Sequence, residues 1–321
     1  MKKGEKVLLV LGALLIAAGV FVGVTLGWDY SPGRYSSTEI EFTSSGTETG
    51  ECSFVSVQLA SLDVSVYTTS DKTVTLSAYG AKTAERVSVV LDGGVLRITE
   101  KKLSLFQRLF ASDDDTLNIR IPEKWIGTVD ISTQSGDVNV NDIASTLVTV
   151  RAASASGSVG TYGLQVADVQ LTTTSGSISV GQHRGGTLTA TTTSGYVNVY
   201  DMKTGDAAVS SVSGNVSVRN AELTGALTLH TTSGDIDLDD VSAAGIETDT
   251  TSGDLELDEV DTQSLTFTST SGSISGELLH IAEFAASVST VSGDISGVRS
   301  GSEGTRTLKI ETVSGDIELD D

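Results

Sequence analysis

From about residue 129 onward, hydrophobic and polar positions alternate in short runs, each broken by a Ser-Gly pair. In matching contexts these pairs begin at Ser135, Ser156, Ser175, Ser194, Ser213, Ser233, Ser252, Ser271, Ser292 and Ser314, at intervals of 19 to 22 residues. Six positions before each serine the residue is Val, Leu, Ile or Ala, from Val129 to Leu308. Four before, it is apolar throughout except for Thr248, and three after, from Val138 to Ile317, it is Val, Ile or Leu. Two before, it is always Ser or Thr, from Thr133 to Thr312. Side chains of a strand alternate faces, so all four columns share one side. Period-two alternation inside a fixed repeat of about twenty residues predicts strands wound into a single-stack β-solenoid, one coil per repeat. Glycine is expected to supply the corner torsions that other residues resist. The hydroxyl column is expected to bond backbone at that corner, or its copy one rung away. An antiparallel meander with Ser-Gly hairpin turns fits the same parity, but near-identical columns favour like-on-like stacking.

Upstream, residues 53–129 read as degenerate first coils. FVSVQLASLDVSVY (54–67) has the shape of a coil with Leu62 in place of glycine, and VSVVLDGGVLRITE (87–100) turns at Gly93-Gly94. An insertion over 101–116 sets Leu103, Leu105, Phe106, Leu109 and Phe110 beside Lys101, Lys102 and Arg108. It reads as a flap covering the side or first rungs, which solenoids need; the alternative is a contact with membrane or partner. Residues 29–52 read as a linker. Residues 1–28 read as a cytoplasmic tail and one transmembrane helix. The run Val7–Gly27 is interrupted only by Thr25, follows Lys2, Lys3 and Lys6, and ends at Trp28 and Tyr30. Its length suffices to span a bilayer, and the lysines place everything after Trp28 outside the cytoplasm. A cleaved signal peptide is the competing reading, but the run is long for one and lacks a convincing cleavage site.

Together the apolar amino terminus, the ITEKKLSLFQRLF…LNIRIPEKW segment and the TTSGDI-type repeats resemble a bacterial adhesin-like domain family of unknown function. That β-strand-repeat family includes Lia-type envelope-stress proteins. The resemblance covers nearly all of the chain from about residue 36. It implies a bacterial cell-membrane protein, single-pass, with an extracytoplasmic solenoid and no established enzymatic site, and it transfers no functional residues.

Charge is the strongest non-structural feature. The formal net charge is −22, and residues 230–321 hold 20 acidic against 3 basic side chains. DIDLDD (235–240) and DLELDEVD (254–261) alternate acid with apolar, which turns the acids outward. The repeat alignment stacks Asp235 on Asp254 and Asp237 on Glu256. Like charges one rung apart repel, and a divalent cation such as Ca²⁺, or a cationic ligand, would relieve that repulsion. The four residues are the candidate cation or cationic-ligand ladder; the alternative is a device for solubility and against edge-to-edge growth. No other cofactor is indicated. Nucleic acid is excluded as a partner by the charge.

Catalytic signals are weak. His183, His230 and His280 are scattered, without a metal-binding spacing, and a surface position is the expectation for them. No phosphate loop occurs, and Cys52, the only cysteine, has no internal disulfide partner. The chain ends on the strand DIELDD (316–321), which reads as an uncapped last rung. These features favour a non-catalytic envelope protein that acts through its faces in adhesion or envelope-stress sensing. Its partners would be an envelope protein, a cell-wall polymer or a cationic peptide. A self-assembling scaffold of bactofilin type is the alternative. A β-helical polysaccharide-acting enzyme is a further one, but the near-constant repeat length leaves little room for cleft-building loops.

Overall fold

The computed structural model describes residues 37–41, 52–71, 74–80, 83–101 and 115–321. The expected transmembrane run and most of the insertion at 101–116 lie outside the described residues. No helix among the described residues is long and apolar enough to cross a membrane. Nearly all of them are strands of one all-β solenoid.

Three parallel ladders run along it. One holds the strands before each Ser-Gly corner, with Val129, Val150, Val169 and Leu188 in register. A second holds the strands after it, with Val138, Val159, Ile178 and Val197 in register. A short third ladder carries Met202, Ala221, Val241 and Val260. Parallel pairing of equivalent residues rules out the meander. The three apolar columns predicted from the repeat are buried almost without exception and form one continuous core. The described exceptions, Val288 and Ile295, belong to a single outer coil.

The Ser-Gly corner is built differently from the expectation. Its glycines do not have positive φ. They are required because neighbouring coils meet backbone to backbone: a Cβ on Gly157 would lie 2.1 Å from the Gly136 carbonyl oxygen, and one on Gly195 2.0 Å from that of Gly176. The hydroxyl column locks this contact. Thr192 Oγ1 accepts from its own Gly195 N–H (3.2 Å) and donates to the Gly176 carbonyl of the preceding coil (2.9 Å). Ser154, Thr173 and Ser211 do the same.

Positive φ appears at another corner, after the second ladder, and mostly without glycine. Asp142, Gln182, Asp201, Asn220, Asp240, Glu259 and His280 all lie between 50° and 62°. Asn and Asp tolerate this left-handed region better than other side chains, and the Asn220 amide donates to the Asp201 carboxylate one rung away.

Both ends of the stack depart from chain order. The coil formed by Arg306–Ser314 and Ile317–Asp320 lies between that of 264–278 and that of 284–296. DIELDD is therefore paired on both sides, not an open last rung. Similarly, the coil of Phe54–Gln58 and Asp63–Thr69 sits between 95–122 and 127–141. Leu62 occupies the glycine position there, and its carbonyl is what a Cβ on Gly136 would strike, at 2.0 Å. Val87–Asp92 is not a coil strand; it folds back antiparallel on Val95–Glu100 through Gly93-Gly94, both at positive φ, as a tight hairpin requires. Ser37–Glu41, in the expected linker, pairs antiparallel with Thr75–Tyr79. A buried ion cluster ties this end together. Arg86 Nη1 reaches Asp115 (2.5 Å), while Nη2 reaches Glu100 (2.6 Å) and the Ser61 hydroxyl (2.7 Å).

Gly195→Ala should destabilise the solenoid by about 2 kcal/mol or more, since its clash is with backbone and cannot relax by rotamer change. Gly301→Ala, with nothing within 4 Å of the added methyl, should leave the thermal midpoint within about a degree. Equal midpoints for the two variants would contradict the backbone-contact role.

Candidate functional site

The structure brings the four predicted acids together. Strands Ile236–Ala243 and Leu255–Thr262 are parallel neighbours, with Asp237 opposite Glu256 and Asp239 opposite Asp258. Asp235 and Asp254 stand just before these strands and have a further duty. Asp235 Oδ1 accepts from the Asp254 N–H (3.1 Å), and Asp254 Oδ1 from the Ser273 N–H (2.8 Å). Asp137 does likewise for Ser158, at 2.7 Å. The aspartate of Ser-Gly-Asp is thus a stitch between coils as well as a surface charge, a role the sequence reading missed.

Asp237 is partly neutralised. Its Oδ2 accepts from Arg219 Nη2 (2.7 Å) and from the Ser217 hydroxyl (3.1 Å), and Arg219 Nε lies 3.8 Å from Asp239. The hydrogen bond and charge of Asp237 hold the Arg219 guanidinium more firmly protonated. Such exposed pairs contribute little stability, so the ladder beyond Arg219 keeps its negative charge facing solvent. Among the described residues no group of three or more His, Cys, Asp or Glu side chains is arranged to hold a metal ion.

The histidines divide. The register aligns Ser210, His230 and Asp249 on three successive rungs, the residue types of a nucleophilic triad. The Ser210 hydroxyl instead donates to Thr191 Oγ1 at 3.2 Å, and no hydrogen bond among the described residues joins His230 to either neighbour. The base–nucleophile link that activates such a serine is not made. His183, expected at the surface, is fully buried. It follows the left-handed Gln182, which turns it into the apolar column between Leu164 and Met202. Neither ring nitrogen has a partner in proper hydrogen-bond geometry. Burial pushes the imidazole down to about 4, only partly offset by the Leu164 backbone.

The family model described as Toastrack DUF4097 matches residues 52–240 and 237–321. The chain belongs to the Toastrack DUF4097 family. The resemblance to an adhesin-like domain of unknown function agrees with this. Among solved structures, a candidate adhesin from Parabacteroides distasonis ATCC 8503 is 12% identical, with 90% of this chain and 98% of that one covered and a TM-score of 0.51. A candidate lipid-binding protein from the same strain is 15% identical over 90% and 98% (TM-score 0.48). A candidate adhesin from Parabacteroides merdae ATCC 43184 is 13% identical over 90% and 98% (TM-score 0.47). At 12% identity the likeness of the Toastrack chain to the Parabacteroides distasonis adhesin is one of fold alone. No curated protein matches it.

His183 makes the stability of this Toastrack solenoid depend on pH. Its folded value lies below its unfolded one, so its contribution is complete above pH 6.5 and is lost as pH falls toward 4. Relative to His183→Met, which copies the neighbouring Met202, the wild type should lose about 3 kcal/mol over that window, measured by urea unfolding across pH. Glu100 acts lower. Burial would raise its carboxyl, but the Ser61 N–H, Arg86 and the Ala60 N–H together hold it below the usual range. Its contribution is complete above the ordinary glutamate value and is lost as pH falls from there through the lower folded value, and the His183→Met chain should keep that later loss. Parallel curves for the two proteins between pH 6.5 and 4 would refute the linkage to His183.

Proposed function

We propose that this chain is a non-catalytic cell-envelope protein working by contact along the faces of its solenoid, in adhesion or envelope-stress sensing. The observation that carries the reading is the stack of in-register outward columns, of which the carboxylate ladder from Asp235 to Asp258 is the most strongly charged. Flat ladders present many weak, repeated contacts to an extended partner, and the rungs between the two ends carry no long inserted loops that would wall a cleft. In this reading residues 7–27 anchor the protein in a bacterial membrane, with the solenoid outside. A cationic peptide, a basic surface of an envelope protein or a cell-wall polymer would be the partner. Ca²⁺ between the carboxylates would compete with a cationic ligand.

End-to-end assembly is a second reading, favoured by one observation. The outermost coil, 284–296, has a strand partner on one side only among the described residues. On its other side the Gly301 N–H and the Ser300 hydroxyl cover Ala286 and Val288, while Val291, further along, is 83% exposed. The stretch of that edge beyond Val288, beside exposed Val291, is a template for another strand. Sedimentation at rising concentration separates the readings: a monomer throughout argues against the scaffold.

The ladder is tested by D235N/D237N/D254N/E256Q. Asn215, whose Oδ1 accepts from the Asp235 N–H at 3.1 Å, shows that an amide keeps the stitch between coils, so this variant should fold. Full-length wild type should bind polylysine in a salt-sensitive manner, and the variant about tenfold or more weakly. Equal affinity would remove the acidic ladder from the function.

A further inference from the structure

Between residues 130 and 321 the chain has three tyrosines, Tyr162, Tyr196 and Tyr200, and no tryptophan. All three lie on one outward face, within three consecutive rungs of the second ladder. Tyr162, Gly181 and Tyr200 are register partners. A Cβ on Gly181 would lie 2.5 Å from the Tyr200 hydroxyl and 2.9 Å from the Tyr162 ring. The two rings therefore lean together over a position that has no side chain. Tyr196 stands four residues before Tyr200 on the same face, about 13 Å away along the strand. It is 62% exposed and Tyr162 is 41% exposed, whereas tyrosine rings usually bury their apolar body.

Beside Tyr196 opens a depression of about 590 Å³ whose lining includes Asn198, Asn215, Ser217, Arg219 and Asp237. Its polar groups are held in place. Ser217 and Arg219 both donate to Asp237 Oδ2, and Asn215 Nδ2 reaches Asp235 at 3.4 Å. Arg219 offsets one of the two carboxylates that line the trough, Asp235 and Asp237, which leaves it less acidic than the ladder beyond.

We infer that the face carrying Tyr162, Tyr196 and Tyr200, together with the trough beside Tyr196, is a glycan-binding platform for an extended, β-1,4-linked polysaccharide chain. The inference deepens the contact reading above and rests on it. A pyranose ring offers a flat C–H face that packs on an aromatic ring, and a rim of hydroxyls that both donate and accept. Tyrosine faces bordered by fixed amide, hydroxyl and carboxylate groups match both features. A flat platform favours a ribbon-like polymer over a coiled one. A peptide adding as a strand is disfavoured, because the backbone of these rungs already pairs on both sides. A cationic ligand is better served by the unpaired acids further along.

The test is titration calorimetry of the full-length protein with chitohexaose and chitobiose, alongside co-sedimentation with isolated bacterial envelopes. Chitohexaose should bind measurably and more tightly than chitobiose. Y196A/Y200A should lose at least about tenfold in affinity, while Y196F/Y200F should stay within about threefold. D254N/E256Q, outside the trough, should match the wild type. Absence of chitohexaose binding to the wild type, or equal binding by Y196A/Y200A and the wild type with an unchanged thermal midpoint, overturns the inference. If that happens while envelopes still retain the protein, the contact reading survives; if envelopes do not retain it either, both fall.

Discussion

The contact on which the solenoid depends is the approach of one coil's corner glycine to the carbonyl of the glycine below it. That approach brings backbones closer than any side chain permits, and it would leave polar groups buried without partners unless something satisfied them. In the coils from Ser154 to Thr231 the Ser or Thr two positions before the Ser-Gly serves that need, whereas the hydroxyls of Thr250 and Ser269 make neither bond. In those coils the hydroxyl has one proton to give and lone pairs to take, so a single oxygen joins its own coil to the preceding one, as at Thr192. Glycine and hydroxyl are therefore one device. Removing the hydroxyl strands a carbonyl, and adding a methyl to the glycine forces the coils apart. The aspartate that often follows extends the same join to the solvent side, where its carboxylate takes the next N–H.

A linear stack held by such joints would fray from its ends, because a terminal coil has only one neighbour. Both ends are arranged against this. The first and last coils in sequence each lie between two others in space, so their strands are paired on two sides. At the amino end the outer coil is covered in turn by the antiparallel strands Thr75–Tyr79 and Ser37–Glu41. Opening the carboxyl end must begin with the coil of 284–296, which is covalently continuous at both of its own ends. At the amino end, the buried Arg86–Glu100–Asp115 cluster adds a charged clamp whose partners come from separated segments. Breaking one member would leave a buried charge uncompensated, which is costly.

The repeat columns made the interior legible, because burial with period two leaves the same residue types at the same spacing in every coil. What the sequence could not reveal depended on neighbours in space. Glycine in Ser-Gly looks the same whether it serves a torsion or a close approach, and only the carbonyl of Gly176 beyond Gly195 decides between them. The left-handed corner escaped notice because Asp142, Gln182, Asn220 and Glu259 share a conformation but not a side chain. Aligning on that position exposes a second signal, the inward residue that follows it: Ile143, Leu164, His183, Met202, Ala221, Val241 and Val260. In that column His183 is plainly an interior residue. The inserted terminal coils were illegible for another reason. The coils at 284–296 and 306–320 carry the same motif, and nearly identical rungs fit either order.

This division of labour also limits where the coils can differ. Each coil commits its inward columns to the core, its hydroxyl to the corner and its glycine to the stack, and those positions vary little in kind. Only the outward columns are free to differ, and they do: the three tyrosines of the regular coils fall between Tyr162 and Tyr200, and acids crowd the outward positions from Asp235 to Asp261. Nothing in the requirements of the stack demands a tyrosine at position 196 in place of the serine found at positions 158 and 177. An exposed ring is a cost that core packing does not return. Patches of distinct chemistry on a uniform scaffold are what a surface needs when it must contact an extended partner at several points, each rung contributing a fixed offset along the axis.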